Sequence, residues 1–237
     1  MQKSEKISLN ADSVLSDVLA ENKRLLLLVE RFGIGFGMGD GTIAEVCKAQ
    51  SVVTEVFLSI SNVYLGNQYS GSIPVSAEAI ACLIRYLHNS HRFYLDEKYP
   101  ELRGFIAQMK ELNHARSMGM VERFFNEYFD EVAEHLNYEN EMVFPYIMKL
   151  LNEELLAETD FSVDEYKDHH NDIEDKLTDL KNLLIKYMPV EGDGLPRRKL
   201  LNSLFELEFD LNIHSMIEDT ILIPLVRKME KSRRLAQ

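Results

Sequence analysis

Two short strings in this sequence pair a histidine with a glutamate four positions later. The first runs from His135 to Glu139 and the second from His214 to Glu218. Residues at this spacing lie on one face of an α-helix about one turn apart, so an imidazole and a carboxylate can reach the same metal centre. After each glutamate come four residues and then an apolar residue and a proline, Phe144-Pro145 and Ile223-Pro224. The two strings therefore indicate one repeated ligand motif.

Both motifs fall in the middle of apolar stripes at helical spacing. One stripe comprises Val121, Phe125, Tyr128, Val132, His135, Glu139, Met142 and Tyr146. The other comprises Leu200, Leu204, Leu207, Leu211, His214, Glu218, Ile221 and Leu225. This pattern puts two carboxylates into an apolar interior, where an unpaired charge costs several kcal/mol. A bound cation is the simplest partner for both carboxylates.

Two further helical segments each offer a histidine on their apolar side. His170 lies in phase with a stripe that includes Val163, Tyr166, Ile173, Leu177, Leu180 and Leu184. On the earlier segment, His88 and His91 are both in phase with Ala81, Ile84 and Leu95, so either histidine can face the interior. We favour His88 as the ligand and keep His91 as its rival or as a residue beside the ligands.

The spacing of these residues indicates an internal repeat. His88 and His135 are 135 − 88 = 47 residues apart, and His170 and His214 are 214 − 170 = 44 residues apart. A single buried histidine is more often a satisfied core residue, but two matched motifs and two in-phase histidines together favour metal binding. Four imidazoles and two carboxylates suit iron, with manganese or zinc as alternatives, and can hold two ions.

The helical segments that must position these residues span about 76–112, 118–152, 162–187 and 196–232. Four helices of this length with short connections predict an all-α, up-down four-helix bundle over residues 75–237. Before it, residues 1–70 predict a small helical domain that ends in a linker rich in Gly, Ser and Pro. Within that domain we expect a first helix from Asn10 that closes at Gly33, a glycine loop, and shorter helices near 42–49 and 52–64.

Composition excludes several classes of protein. A formal net charge of −13 argues against nucleic-acid binding, which needs clustered Lys and Arg. The sequence has no run of 18 or more apolar residues and its start lacks the apolar core of a signal peptide, so we expect no membrane association and a cytoplasmic location. Cys47 and Cys82 each lie among apolar residues in helical patterns, which predicts two buried free thiols.

These residues resemble the hemerythrin-like di-iron proteins, and specifically the repair-of-iron-centres type that restores damaged iron-sulfur clusters. His88, His135 with Glu139, His170, and His214 with Glu218 match the four-histidine, two-glutamate ligand pattern of that group. The resemblance covers nearly the whole chain. It implies a di-iron centre bridged by the two glutamates and a protein that responds to nitric oxide or peroxide damage by supplying iron to damaged iron-sulfur proteins.

One departure from the family concerns its thiols. The family carries adjacent cysteines in the glycine loop, where this sequence has Phe36-Gly-Met-Gly39, and Cys47 lies on the helix beyond. The resemblance therefore does not extend to a thiol-dependent step. Two other functions stay open at this point: a di-iron reductase of nitric oxide or peroxide, and a binding module that senses O2 or NO or stores iron.

Overall fold

The structure is a computed structural model that describes residues 9–67, 73–112, 116–152, 163, 166, 173–188 and 192–236. Every regular element within these ranges is a helix, and the one β-type pairing is an isolated bridge between Val14 and Thr42. The predicted all-α class is confirmed.

Four short helices form the N-terminal part of the described chain. Their bounds are Leu15–Glu21 (α1), Leu25–Arg31 (α2), Ile43–Ala49 (α3) and Thr54–Tyr64 (α4). The expected single helix up to Gly33 is wrong, because the backbone leaves the helical region at Asn22 (φ −132°, ψ 78°) and the Asn22 side chain donates to the Val18 carbonyl. The predicted end at Gly33 is confirmed: its φ of 73° lets the Ile34 amide donate back to the Val29 carbonyl at 3.0 Å.

Four longer helices follow, which we call helices A to D. Helix A comprises Ala77–Arg92, Phe93–Lys98 and Tyr99–Leu112, and helix B comprises Arg116–Tyr138, Glu139–Val143 and Phe144–Leu151. The described part of helix C comprises Ile173–Asn182 and Leu183–Tyr187, and helix D comprises Gly194–Ile217, Glu218–Leu222 and Ile223–Ala236. These bounds agree with the predicted segments wherever the structure describes them.

Each long helix contains a π turn, in which an amide donates to the carbonyl five residues before it. Such bonds run from Phe144 to Glu139 on helix B and from Ile223 to Glu218 on helix D. The other two π turns are Phe93–Lys98 and Leu183–Tyr187. A proline stands second after every one of these turns in the sequence, at Pro100, Pro145, Pro189 and Pro224. Proline has no amide hydrogen and its ring clashes with the carbonyl four residues earlier, so a locally wider turn accommodates it.

The described chain forms two compact units. The first holds the described residues within Met1–Ser90, Leu150–Glu154 and Ser215–Gln237, and the second holds those within His91–Lys149 and Leu155–His214. The core of the second unit is built from leucines and aromatic rings that include Tyr94, Tyr99, Leu102, Phe125, Tyr128, Leu136, Leu180, Leu204 and Leu207. This division does not coincide with the linker near residue 70, and a domain boundary there stays a prediction.

Within the first unit, α2 packs against the beginning of helix A through buried polar groups. The Arg31 guanidinium donates to the Tyr64 hydroxyl at 2.9 Å, and that hydroxyl lies 3.1 Å from the Tyr86 hydroxyl. The Asn89 side chain donates to the Arg31 carbonyl at 2.8 Å, which satisfies one of the carbonyls left open at the end of α2. This hydrogen bond ties helix A to α2 at Asn89, two residues before His91.

Both thiols lie in the core of the first unit. Cys47 and Cys82 are buried and unbridged, as the sequence predicted. Burial raises the pKa of Cys47 to about 12. Because the thiolate is the reactive form of cysteine, this thiol is inert at neutral pH.

Candidate metal centre

Four side chains from helices A, B and D converge on one buried place. His91, Glu139, His214 and Glu218 each offer one ligand atom, and these atoms all lie within 4.8 Å of one another. All four side chains are buried, with residue exposures of 5% or less. In the part of the chain that the structure describes, no second cluster of this kind is found.

Helix A supplies His91 to this cluster and not His88. His88 is exposed and lies outside the cluster, so the preference for His88 as the inward-facing residue is corrected. The buried stripe of helix A runs through Leu83, Leu87 and Tyr94, with His91 on the same side. One residue turns an α-helix by about 100°, and this step takes His88 away from the side that Leu87 occupies.

On helix B, Glu139 is the centre of a group of polar contacts. Its Oε1 lies 3.1 Å from Nε2 of His135 and accepts a 2.7 Å hydrogen bond from the Tyr166 hydroxyl. Its Oε2 lies 3.2 Å from Nε2 of His91. Burial by itself would raise the pKa of Glu139, but the hydrogen bond with the His135 imidazole, the largest opposing cause, holds that pKa well below the usual range for a glutamate. The carboxylate is therefore charged at neutral pH.

On helix D, the motif residues have different neighbours. Nε2 of His214 lies 3.2 Å from Nε2 of His91, so the two imidazole rings approach each other through their Nε2 atoms. The ring of Tyr94 packs edge-on against His214, with 5.7 Å between ring centroids. The Tyr94 hydroxyl donates to Oδ2 of the buried Asp210 at 2.6 Å. Glu218 follows His214 by one turn and is buried as well.

Three of the six residues predicted as ligands lie in the buried cluster. The structure brings Glu139, His214 and Glu218 together and places His135 beside Glu139, with 13% of its side chain exposed. His170 lies outside the described residues. Two further contacts were not predicted from the sequence: Oδ1 of Asn140 lies 2.9 Å from Nδ1 of His91, and the Tyr166 hydroxyl donates to Glu139. A signal for Tyr166 was present, since it falls on the same apolar stripe as His170, about one turn before it.

The donor set fits a metal ion. Two imidazoles and two carboxylates give the mixed nitrogen and oxygen ligation that iron, manganese and zinc accept. Among the described residues, the buried Oε2 of Glu139 accepts no hydrogen bond. Burying two carboxylates this close together is costly unless a cation compensates them. The cluster thus has the composition and geometry of a metal site.

A separate feature concerns membranes. Within the part of the chain that the structure describes, helices long and apolar enough to cross a bilayer are absent.

Comparison with known proteins points to the same chemistry. Residues 83–226 match the sequence model of a family described as Hemerythrin, the hemerythrin HHE cation binding domain. The matched region contains all four residues of the buried cluster. The iron-sulfur cluster repair protein ScdA of Staphylococcus haemolyticus (strain JCSC1435) is 22% identical over 214 residues, which cover 89% of this chain and 96% of that protein.

Proposed function

We propose that this chain, which belongs to the hemerythrin HHE cation binding domain family, holds iron at the centre formed by helices A, B and D. The protein supplies that iron to iron-sulfur clusters damaged by nitric oxide or oxidation. The observation that carries this proposal is the buried cluster of two carboxylates and two imidazoles with its ligand atoms within 4.8 Å. The similarity to a cluster repair protein along 96% of that protein's length supports it.

The proposed ligand set has six members and holds two iron ions. It comprises His91, His135, Glu139, His170, His214 and Glu218. When bound, the iron supplies Lewis acidity and one-electron chemistry at the centre. The side chains of His91, Glu139, His214 and Glu218 are buried away from bulk water, so the charges of the two carboxylates act on a cation with little screening.

The chemistry of these ligands suits a protein that must also give iron up. Carboxylate and imidazole are harder ligands than the thiolates that hold iron in iron-sulfur clusters. Because metal binding needs deprotonated ligands, each carboxylate that gains a proton weakens the site. A damaged cluster with free thiolates is therefore a suitable acceptor for iron from this centre.

The proposal involves no cysteine of this chain. Cys47 and Cys82 are both buried, and the glycine loop at 33–41 contains no thiol. In this chain the transfer of iron must depend on the His/Glu centre alone. We place the protein and its iron-sulfur partners in the cytoplasm, where nitric oxide and peroxide damage such clusters.

The test compares carboxylate variants of the centre with matched variants on the surface. Glu139→Gln and Glu218→Gln remove ligand charge, whereas Glu141→Gln and Asp219→Asn change exposed acids on the same two π turns. Wild type and both surface variants should bind iron after anaerobic reconstitution, and the two ligand variants should lose it. The loaded wild type should then restore activity to a dehydratase whose cluster was damaged by nitric oxide.

The result that contradicts the proposal is also clear. If free iron at the same concentration restores the dehydratase and the loaded protein does not, the chain is not an iron donor. Catalytic conversion of nitric oxide to nitrous oxide, lost in both ligand variants, would assign a reductase instead. Reversible O2 or NO binding without iron transfer would assign a sensing or storage module.

A further inference from the structure

The residue that follows Glu139 touches the same imidazole as Glu139 does. Oδ1 of Asn140 lies 2.9 Å from Nδ1 of His91, while Oε2 of Glu139 lies 3.2 Å from Nε2 of that ring. Neighbouring residues on an α-helix diverge by about 100° and do not usually reach one partner. Here both belong to the π turn Glu139–Val143, which widens the helix at this place.

The contact with Asn140 determines which nitrogen of His91 carries a hydrogen. An amide oxygen can only accept a hydrogen bond, so Nδ1 of His91 must be the donor. A neutral imidazole with its hydrogen on Nδ1 has its lone pair on Nε2. That atom faces Oε2 of Glu139 and Nε2 of His214, each at 3.2 Å. In this tautomer the lone pair of His91 points to where the other ligands converge.

From this geometry we infer that Asn140 is a positioning residue of the metal centre. Its side-chain oxygen holds His91 in the tautomer with hydrogen on Nδ1 and fixes the ring so that Nε2 is the metal-binding atom. The inference rests on the proposed metal centre and deepens it, because a hydrogen bond of this kind makes a histidine a stronger ligand and controls how firmly iron is held.

The second motif provides an internal control. Asp219 occupies the place after Glu218 that Asn140 occupies after Glu139, and each is the second residue of its π turn. Asp219 is exposed, whereas Asn140 is half-buried against His91. The role of Asn140 is therefore specific to the first motif, and a substitution at Asp219 should leave the centre unchanged.

The test uses Asn140→Leu, which keeps the shape and removes the acceptor, and Asn140→Asp, which keeps an acceptor oxygen. Asp219→Leu is the control. Two quantities are measured: the Fe(II) dissociation constant by anaerobic competition with a chelator, and the tautomer of His91 by ¹⁵N NMR of the histidine-labelled, metal-free protein. Asn140→Leu should bind Fe(II) about 10- to 100-fold more weakly and lose the single tautomer. Asn140→Asp and Asp219→Leu should retain both.

Three results would overturn the inference. The first is wild-type protein in which His91 carries its hydrogen on Nε2, a result that needs no variant and stands even if Asn140→Leu does not fold. The second is undiminished Fe(II) binding by Asn140→Leu, and the third is an Asn140→Asp variant as weak as Asn140→Leu. If Glu139→Gln also binds Fe(II) like the wild type, the proposed centre itself fails, so the two failures are distinguishable.

Discussion

The two His-x-x-x-Glu motifs have the same residues at the same spacing and yet different surroundings. On helix B, His135 contacts the glutamate of its own motif at 3.1 Å, and Tyr166 donates to that glutamate. On helix D, His214 lies against the imidazole of His91, and its neighbour Tyr94 donates to Asp210. The comparison shows that the same motif has different contacts in its two copies, because the side chains that other helices bring to it differ.

His91 is the residue that links the two motifs, and its removal should have the largest effect. We expect His91→Ala to weaken Fe(II) binding by more than the ~100-fold upper range for a residue that only supports a ligand. His88→Ala, three residues earlier and exposed, should leave binding unchanged. Chelator competition measures both constants. Strong loss in His88→Ala with none in His91→Ala would show that helix A presents the other histidine when metal binds.

The next largest difference should separate the histidines of the two motifs. His214 belongs to the buried cluster, whereas His135 lies beside it and is partly exposed. His214→Ala should therefore lose iron more completely than His135→Ala, by roughly 10-fold in affinity if His135 acts partly through Glu139. Iron content after gel filtration ranks the two variants. Equal loss in both would mean that the motifs are equivalent once metal is bound.

A smaller and qualitatively different contrast is expected from the two tyrosines. Tyr166→Phe removes a hydrogen bond to a metal-centre carboxylate, so both stability and iron affinity should fall. Tyr94→Phe removes one to Asp210, which is not in the cluster, so only stability should fall. Each hydrogen bond to a charged group contributes about 1.5–3 kcal/mol. Urea unfolding of the metal-free proteins measures their stability. If iron affinity falls equally in Tyr166→Phe and Tyr94→Phe, the two tyrosines do not differ in their effect on the metal centre.

The smallest effect should come from the thiols, which neither motif uses. Since the pKa of Cys47 is raised to about 12, raising the pH from 7 to 9 should not generate its reactive thiolate, although an ordinary cysteine ionises in that range. Iodoacetamide should leave Cys47 of the folded protein unmodified across this range and alkylate it in urea. Cys47→Ala should transfer iron as the wild type does. Loss of transfer in that variant would point to a thiol-dependent step.

The sequence correctly predicted the buried apolar residues along the parts of helices B and D that keep a constant period of about 3.6 residues. The stripe of helix D is buried at every predicted position, including His214 and Glu218. The stripe of helix B is interrupted after Glu139, since Met142 is half exposed and Val143 is buried instead, and it is buried again at Tyr146. The π turn adds a residue there, and a pattern drawn with a constant period cannot follow it.

The choice between His88 and His91 failed for a related reason. Both fit a stripe drawn through Ala81, Ile84 and Leu95, but a buried stripe of helix A runs through Ile80, Leu83, Leu87 and Tyr94. The two stripes differ by one position, and hydrophobicity alone did not separate them. The break of the first helix at Asn22 was also missed, because leucines continue across it. The prolines that stand second after each π turn were visible in the sequence.

The π turns also change how the bundle should respond to small deletions. A π turn is an α-helix with one additional residue, so deleting one residue between Glu139 and Pro145 would restore ordinary α-helical bonding and keep the faces of both flanking segments aligned. The same deletion elsewhere in helix B would rotate all later side chains by about 100° and expose the core. The fold should therefore tolerate a single-residue deletion best within the turns that carry the ligands. There the deletion should reduce iron binding and leave the helical bundle intact. Iron content and circular dichroism of the two deletion variants would show the difference.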